Sequence, residues 1–125
     1  MILDTNALSA WWDNEPALIE ILADCSRVFV RTPALAEIRY GILQSRKREE
    51  MERWMTQALA STTILPIEDQ TTFHYATLRL HLKRAGTPIP MNDLWIAAIA
   101  LQHRLPIVSR DSHFDHVPEL QRISW

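Results

Sequence analysis

Apolar and polar positions along this chain alternate between two rhythms. Short, mainly apolar segments that read as strands occur at 1–3, 28–30, 63–67 and 106–109, and residues 121–124 suit an edge strand. Such segments are what strands covered on both faces require. Between them the spacing becomes helical. It predicts helices over 5–12, 16–23, 33–44, 46–60, 69–85 and 91–104. Pro33 suits the first position of its helix, and Gly86 the stop of another. Asp4 or Thr5 is placed to cap the first helix and Asp69 the fifth. Met51, Trp54, Met55 and Ala58 form one apolar stripe. The segment 91–104 is apolar nearly all round, as a helix buried against a sheet should be. Strands alternating with helices imply βαβ units, hence an α/β fold with a mainly parallel central sheet. The helix over 69–85 carries two stripes, Phe73/Ala76/Leu80 and Tyr75/Leu78/Leu82. Either the second stripe meets a partner or a second subunit, the latter giving a homodimer, or both are covered within one thick domain.

Composition narrows the class. One domain over residues 1–125 is the expected organisation for this length. The hydrophobic fraction of 47% supports a packed core, and net charge is −2, from 13 Lys plus Arg against 15 Asp plus Glu. Cys25 stands alone, so no internal disulfide is expected and a reducing cytoplasm fits. There is no basic leader followed by an apolar segment, and no apolar run near the roughly 20 residues that span a bilayer, so neither secretion nor membrane insertion is expected. Two glycines exclude a Gly-rich phosphate loop.

Four isolated carboxylates change the picture: Asp4, Glu37, Asp93 and Asp111. Asp4 ends the first strand. Glu37 shares a helix face with the small residues Ala34 and Gly41, which suggests an inward direction. Asp93 opens the most apolar helix, and Asp111 follows the strand at 106–109. Each has an ordinary explanation as a cap, a turn residue or, for Glu37, half of a salt bridge to some arginine. The carboxyl edge of a parallel sheet is where ligands bind, however, and four acids brought there repel one another unless a cation neutralises them. A divalent-metal site follows, and with it a metal-dependent phosphodiesterase. Setting the four aside from the 15 acids leaves 11 against 13 bases, a mildly basic shell around an acidic pit.

Met1-Ile2-Leu3-Asp4-Thr5-Asn6, the segment Ala36-Glu37-Ile38-Arg39-Tyr40-Gly41-Ile42, Asn92-Asp93-Leu94-Trp95-Ile96-Ala97-Ala98 and Ser109-Arg110-Asp111-Ser112-His113-Phe114 together resemble the PIN-domain ribonucleases. Within that group the chain is similar to VapC-type toxins of bacterial toxin–antitoxin pairs. The resemblance spans the whole chain and implies a three-layer α/β/α PIN fold. It also implies Mg²⁺- or Mn²⁺-dependent endoribonuclease activity and inhibition by a cognate VapB-type antitoxin, with DNA met only through that antitoxin. At the matching positions Asp4, Glu37, Asp93 and Asp111 form the metal-binding quartet. Asp4 and Asp93 are then direct or single-water ligands, and Glu37 and Asp111 hold metal-bound waters or a second ion. Thr5, Asn6 and Ser109 fall where supporting polar groups are expected, and Asn92, next to Asp93, is placed to serve the cap of its helix and leave Asp93 free for the site. Asp115 is close enough to Asp111 to replace it.

The histidines do not suggest a His-based ribonuclease. His113 and His116 are expected in a polar turn, as surface or phosphate contacts. Arg46, Lys47, Arg48, Arg79, Lys83 and Arg84 are the candidates for holding an RNA backbone, against the plainer reading of solvated basic runs. Two other readings compete. One is a non-catalytic PIN-fold module that binds RNA or a partner, which has little use for an acidic pit. The other is an aspartyl phosphatase, which usually needs a second acid two residues past the nucleophile, where this chain has Asn6.

Overall fold

A computed structural model describes all 125 residues, Met1–Trp125. The chain runs β1 (Ile2–Leu3), α1 (Thr5–Trp12), α2 (Pro16–Ala23), β2 (Val28–Arg31), α3 (Thr32–Gln44), α4 (Arg48–Ala60), β3 (Thr62–Leu65), α5 (Asp69–Ala85), α6 (Met91–His103) and β4 (Ile107–Val108). A 3-10 turn over Ser112–His116 then leads to β5 (Arg122–Ile123). The strands form one sheet in the order β3-β2-β1-β4-β5, and every pairing is parallel.

Successive strand residues point to opposite faces, and the core divides accordingly. Ile2 and Ile107 join Leu78, Leu82, Ile96, Ile99 and Phe114 on the side of α5 and α6. Leu3, Val30 and Val108 join Ala7, Leu18, Ala34, Leu35 and Met55 on the side of α1 to α4. The result is a three-layer α/β/α arrangement, the parallel-sheet α/β class that the pattern predicts in the layered form that the resemblance implies. On the α1–α4 side, Trp54 meets both Trp11 and Trp12 edge-on, with ring centroids 5.7 and 5.6 Å apart. Edge-to-face pairs of this kind are a favoured aromatic geometry.

Several expected boundaries move for local reasons. Residues 45–47 form a turn in which the Ser45 hydroxyl accepts the Lys47 N–H at 3.1 Å, so α4 begins at Arg48 rather than at Arg46. The α5 cap is Glu68, not Asp69. Glu68 and Thr71 form a reciprocal capping box, and the buried Thr71 hydroxyl donates to Gln102 of α6 at 2.5 Å. That bond, with Gln102 returning to Glu68 at 2.8 Å, locks the start of α5 against α6. The third strand spans Thr62–Leu65, so Ile67 lies past its end and is exposed. Of the two stripes on α5, Leu78 and Leu82 are buried and Tyr75 stacks on Trp95, with centroids 4.1 Å apart. The other stripe is open, with Phe73 68% and Leu80 48% exposed.

Candidate metal centre

Asp4 is delivered by the shortest route available, directly from the end of the central strand β1 into α1. Its Oδ1 accepts the Ala7 N–H at 2.6 Å, so it caps α1 as the plain reading required. Its Oδ2 accepts from the Ser109 hydroxyl at 2.5 Å, across from the end of β4. Capping and membership of the cluster are therefore compatible, because a carboxylate has about four lone-pair sites. Asp4 is only 6% exposed. Burial pushes its carboxyl above the usual aspartate range; the Ser109 and Ala7 bonds oppose this, and Asp93 adds to it.

Asp93, in the first turn of α6, is likewise raised by burial and then by the Asp111 charge, while His113 acts against the shift. Asp111 caps the 3-10 turn, its Oδ1 accepting the His113 N–H at 2.9 Å. Its own N–H donates to Ser109 Oγ at 2.9 Å, so one serine links Asp4 to Asp111. Glu37 reaches in from α3 and is gripped at both oxygens. Thr5 Oγ1 donates to Oε2 at 2.5 Å and Asn92 Nδ2 to Oε1 at 2.7 Å. The structure thus brings together the four acids named from sequence, and places Thr5, Asn92 and Ser109 as the groups that orient them. Asn6 is exposed and makes no bond to the acids.

Other sequence expectations meet different surroundings. Asp115 faces away into a two-pronged pair with Arg122, at 2.7 and 2.8 Å, and does not join the acids. Arg46, Lys47, Arg48, Arg79, Lys83 and Arg84 lie exposed. Arg48 is engaged by Glu52, and Arg79 lies near the Tyr75 ring. None of the six is among the cations that bear on the acid cluster. Gly41 packs against nothing, so it is the buried Ala34, not Gly41, that lets this face of α3 approach the sheet.

Two residues enter that sequence reasoning placed elsewhere or missed. His113 is not a detached turn residue: its Nδ1 lies 3.0 Å from Asp111 Oδ1 and 3.4 Å from Asp93 Oδ2. Ligand atoms of Asp93, Asp111 and His113 all fall within 4.8 Å of one another. Its signal was its place two residues after Asp111. Arg31 ends β2 and is only 2% exposed. Burial pulls its guanidinium below the usual arginine range, against the attraction of Glu37, Asp93 and Asp4. It is the arginine nearest in kind to the partner imagined for Glu37, yet no ion pair forms. The Arg31 Nε and Nη1 atoms are buried without any hydrogen-bond partner. A charged residue closing an apolar strand run at the carboxyl edge was the available clue.

Asp4 and Asp93, both raised by burial, with the ligand atoms of Asp93, Asp111 and His113 within reach of a common point, fit a divalent cation, which carboxylate and water ligands suit. The arrangement can hold such an ion and, through it, a phosphate.

A family model described as "PIN domain" matches residues 1–120. Ribonuclease VapC5 of Mycobacterium tuberculosis is 32% identical over 115 residues, covering 90% of this chain and 84% of that protein. Ribonuclease VapC2 of Rickettsia felis is 30% identical over 129 residues, covering 99% and 96%. The crystal structure of VapBC2 from Rickettsia felis, bound to a DNA fragment from their promoter, superposes with a TM-score of 0.87 at 28% identity, covering 99% of this chain and 97% of that one. Together with the α/β/α architecture and the acidic edge, these likenesses establish that the chain belongs to the PIN-domain family, in its VapC-type branch.

Proposed function

We propose that this protein is a Mg²⁺- or Mn²⁺-dependent endoribonuclease, the toxin of a VapBC-type toxin–antitoxin pair, acting on transfer RNA or another structured RNA. The observation that carries the reading is the meeting of Asp4, Glu37, Asp93 and Asp111 at the sheet's carboxyl edge, with Asp4 and Asp93 raised by burial. Curated relatives named ribonucleases support the activity, and superposing VapBC complexes support a VapB-type antitoxin as partner. In the DNA-bound relative the toxin–antitoxin complex holds a promoter fragment; here DNA would be met only through the antitoxin, as the reading of the chain as a VapC-type toxin implies. A homodimer through the open α5 stripe completes the reading, in a cytoplasmic setting. No helix is long and apolar enough to cross a membrane.

Asp4 and Asp93 would hold the ion directly or through one water, and Glu37 and Asp111 through water or a second ion. A bound divalent ion would supply charge neutralisation of the phosphate and a water acidified toward neutrality. The chain's own contribution is orientation. Ser109 fixes the Asp4 carboxylate relative to Asp111. Thr5 and Asn92 fix Glu37. His113 sits against Asp93 and Asp111, where it can brace both or offer a nitrogen. Attack of water on phosphorus, with the P–O3′ bond breaking and the 3′-oxygen leaving with a proton, would give 5′-phosphate and 3′-hydroxyl ends. The test is cleavage of total transfer RNA and a structured control RNA by purified protein with Mg²⁺ or Mn²⁺, alongside EDTA and an Asp93→Asn variant. Discrete fragments lost in both controls are expected. Cleavage that persists in EDTA would defeat the proposal.

A further inference from the structure

We propose that Arg31 is a built-in counter-charge of the acidic site, a fixed cation that weakens and so sets the affinity for a divalent ion. The inference rests on the metal-centre reading above and goes beyond it, since it assigns a role to a residue outside the acid set. A buried arginine ordinarily forks onto a carboxylate, because the guanidinium presents paired donors that match two oxygens. Arg31 does not. It is 2% exposed and ends β2, next to the end of β1 that delivers Asp4, and the charges of Glu37, Asp93 and Asp4 all bear on it. Its Nε and Nη1 are nonetheless sealed from solvent without a partner.

The acids around it are each oriented by other donors. Both Glu37 oxygens already accept from Thr5 and Asn92. Both Asp4 oxygens accept from Ala7 and Ser109. Asp93 faces His113. Arg31 is therefore held near all three acids without neutralising any one of them, and its charge is shared among them. Because Nε and Nη1 are covered, those atoms are not placed to grip a substrate phosphate. A guanidinium does not give up its proton in proteins, so the positive charge persists with or without metal. In the empty state it offsets repulsion among the acids. When an ion arrives, the same charge repels it, doubly so for a divalent cation.

Replacing Arg31 with a neutral residue should then tighten metal binding while making the metal-free protein depend more on the ion. The experiment is Mn²⁺ titration of wild type, Arg31→Met and Arg31→Lys, with free Mn²⁺ followed by electron paramagnetic resonance. Melting temperatures in EDTA and in saturating Mn²⁺ accompany it. Arg31→Met is expected to bind Mn²⁺ about tenfold tighter or more and to show a larger Mn²⁺-induced rise in melting temperature. Arg31→Lys, whose ammonium the surrounding carboxylates hold in its charged form, should stay within about threefold of wild type. Folding of Arg31→Met only when Mn²⁺ is present would also support the proposal. If it folds in neither condition, Arg31→Gln, neutral but still a donor, takes its place in the same titration. Unchanged or weaker Mn²⁺ binding by the neutral variant, with wild type binding normally, overturns the role of Arg31. Absence of Mn²⁺ binding by wild type overturns the metal centre itself, and this inference with it.

Discussion

Asp4 shows how one side chain serves two ends at the residue scale. It caps α1 through Ala7 and meets Asp111 through Ser109, so charge and hydrogen-bonding capacity can be separated by mutation. Asp4→Asn keeps an acceptor for the Ala7 N–H, whereas Asp4→Ala removes it. Both variants should lose metal binding, but in EDTA the alanine variant should be less stable than the asparagine variant by about 1 kcal/mol, the worth of a cap. Urea midpoints measure the difference, and equal midpoints would mean the cap carries no weight. The direction of the pKa shifts gives a second expectation. Burial raises the carboxyls of Asp4 and Asp93 in the folded chain, so the native state binds those protons more readily than the unfolded one. Their favourable contribution is complete below the ordinary aspartate range and is lost as pH rises through the raised values. In EDTA, wild type should therefore gain stability relative to Asp93→Asn as pH falls from about 7 toward about 4. The melting-temperature gain from Mn²⁺ should shrink over the same interval, because the ion must displace those protons. A metal-induced gain that is flat with pH would contradict the involvement of these groups.

The informative elements are the helices that enter and leave the site. The turn over residues 45–47, tied by Ser45, separates α3 from α4, and a basic run that looked helical in sequence is partly turn. Helix α5 ends on Gly86 at φ 73°, a left-handed position with open space around its Cβ direction. Gly86→Ala should then cost about 1 kcal/mol through backbone strain alone. Gly41 is the contrast. It lies inside α3 with nothing near its Cβ direction and no positive φ. Gly41→Ala should stabilise the helix by roughly 0.5–1 kcal/mol. Thermal or urea denaturation of the two variants gives shifts of opposite sign, with Mn²⁺ affinity unchanged in both. Shifts of the same sign would mean that one of these backbone environments has been misjudged.

Across the whole molecule, the sheet order β3-β2-β1-β4-β5 sets β1 centrally, between β2 and β4. Asp4, Arg31 and Ser109 thus leave three neighbouring strands at one edge, while α3 and α6 bring Glu37 and Asp93 over them. The far side of α5 remains uncovered within one chain. Phe73 and Leu80 lie there exposed, with Tyr40, Leu43 and Met91 exposed on other helices. Wild type is expected to show a dimer mass by light scattering, and Phe73→Glu combined with Leu80→Glu a monomer mass with the fold retained. A monomeric wild type would remove the homodimer from the proposal.

Sequence by itself determined the alternation of strands and helices, the α/β class and the four acids, because periodicity and isolated carboxylates at strand ends are local signals. It also named Thr5, Asn6, Asn92 and Ser109 as supporting groups, of which all but Asn6 meet an acid, Asn92 reaching Glu37 rather than capping its own helix. The tertiary structure alone decided which neighbours those acids would have. Asp115 was a possible substitute for Asp111 along the chain until Arg122, on β5, claimed it. His113 looked like a surface residue until the 3-10 turn set it between two carboxylates. Glu68 displaced Asp69 as a cap because Gln102, far along the chain, closes the network with Thr71. Arg31 was invisible as a partner because its effect arises from being buried among groups that are already bonded to others. Hydrogen bonds saturate and burial is collective, so both depend on residues that only folding brings together.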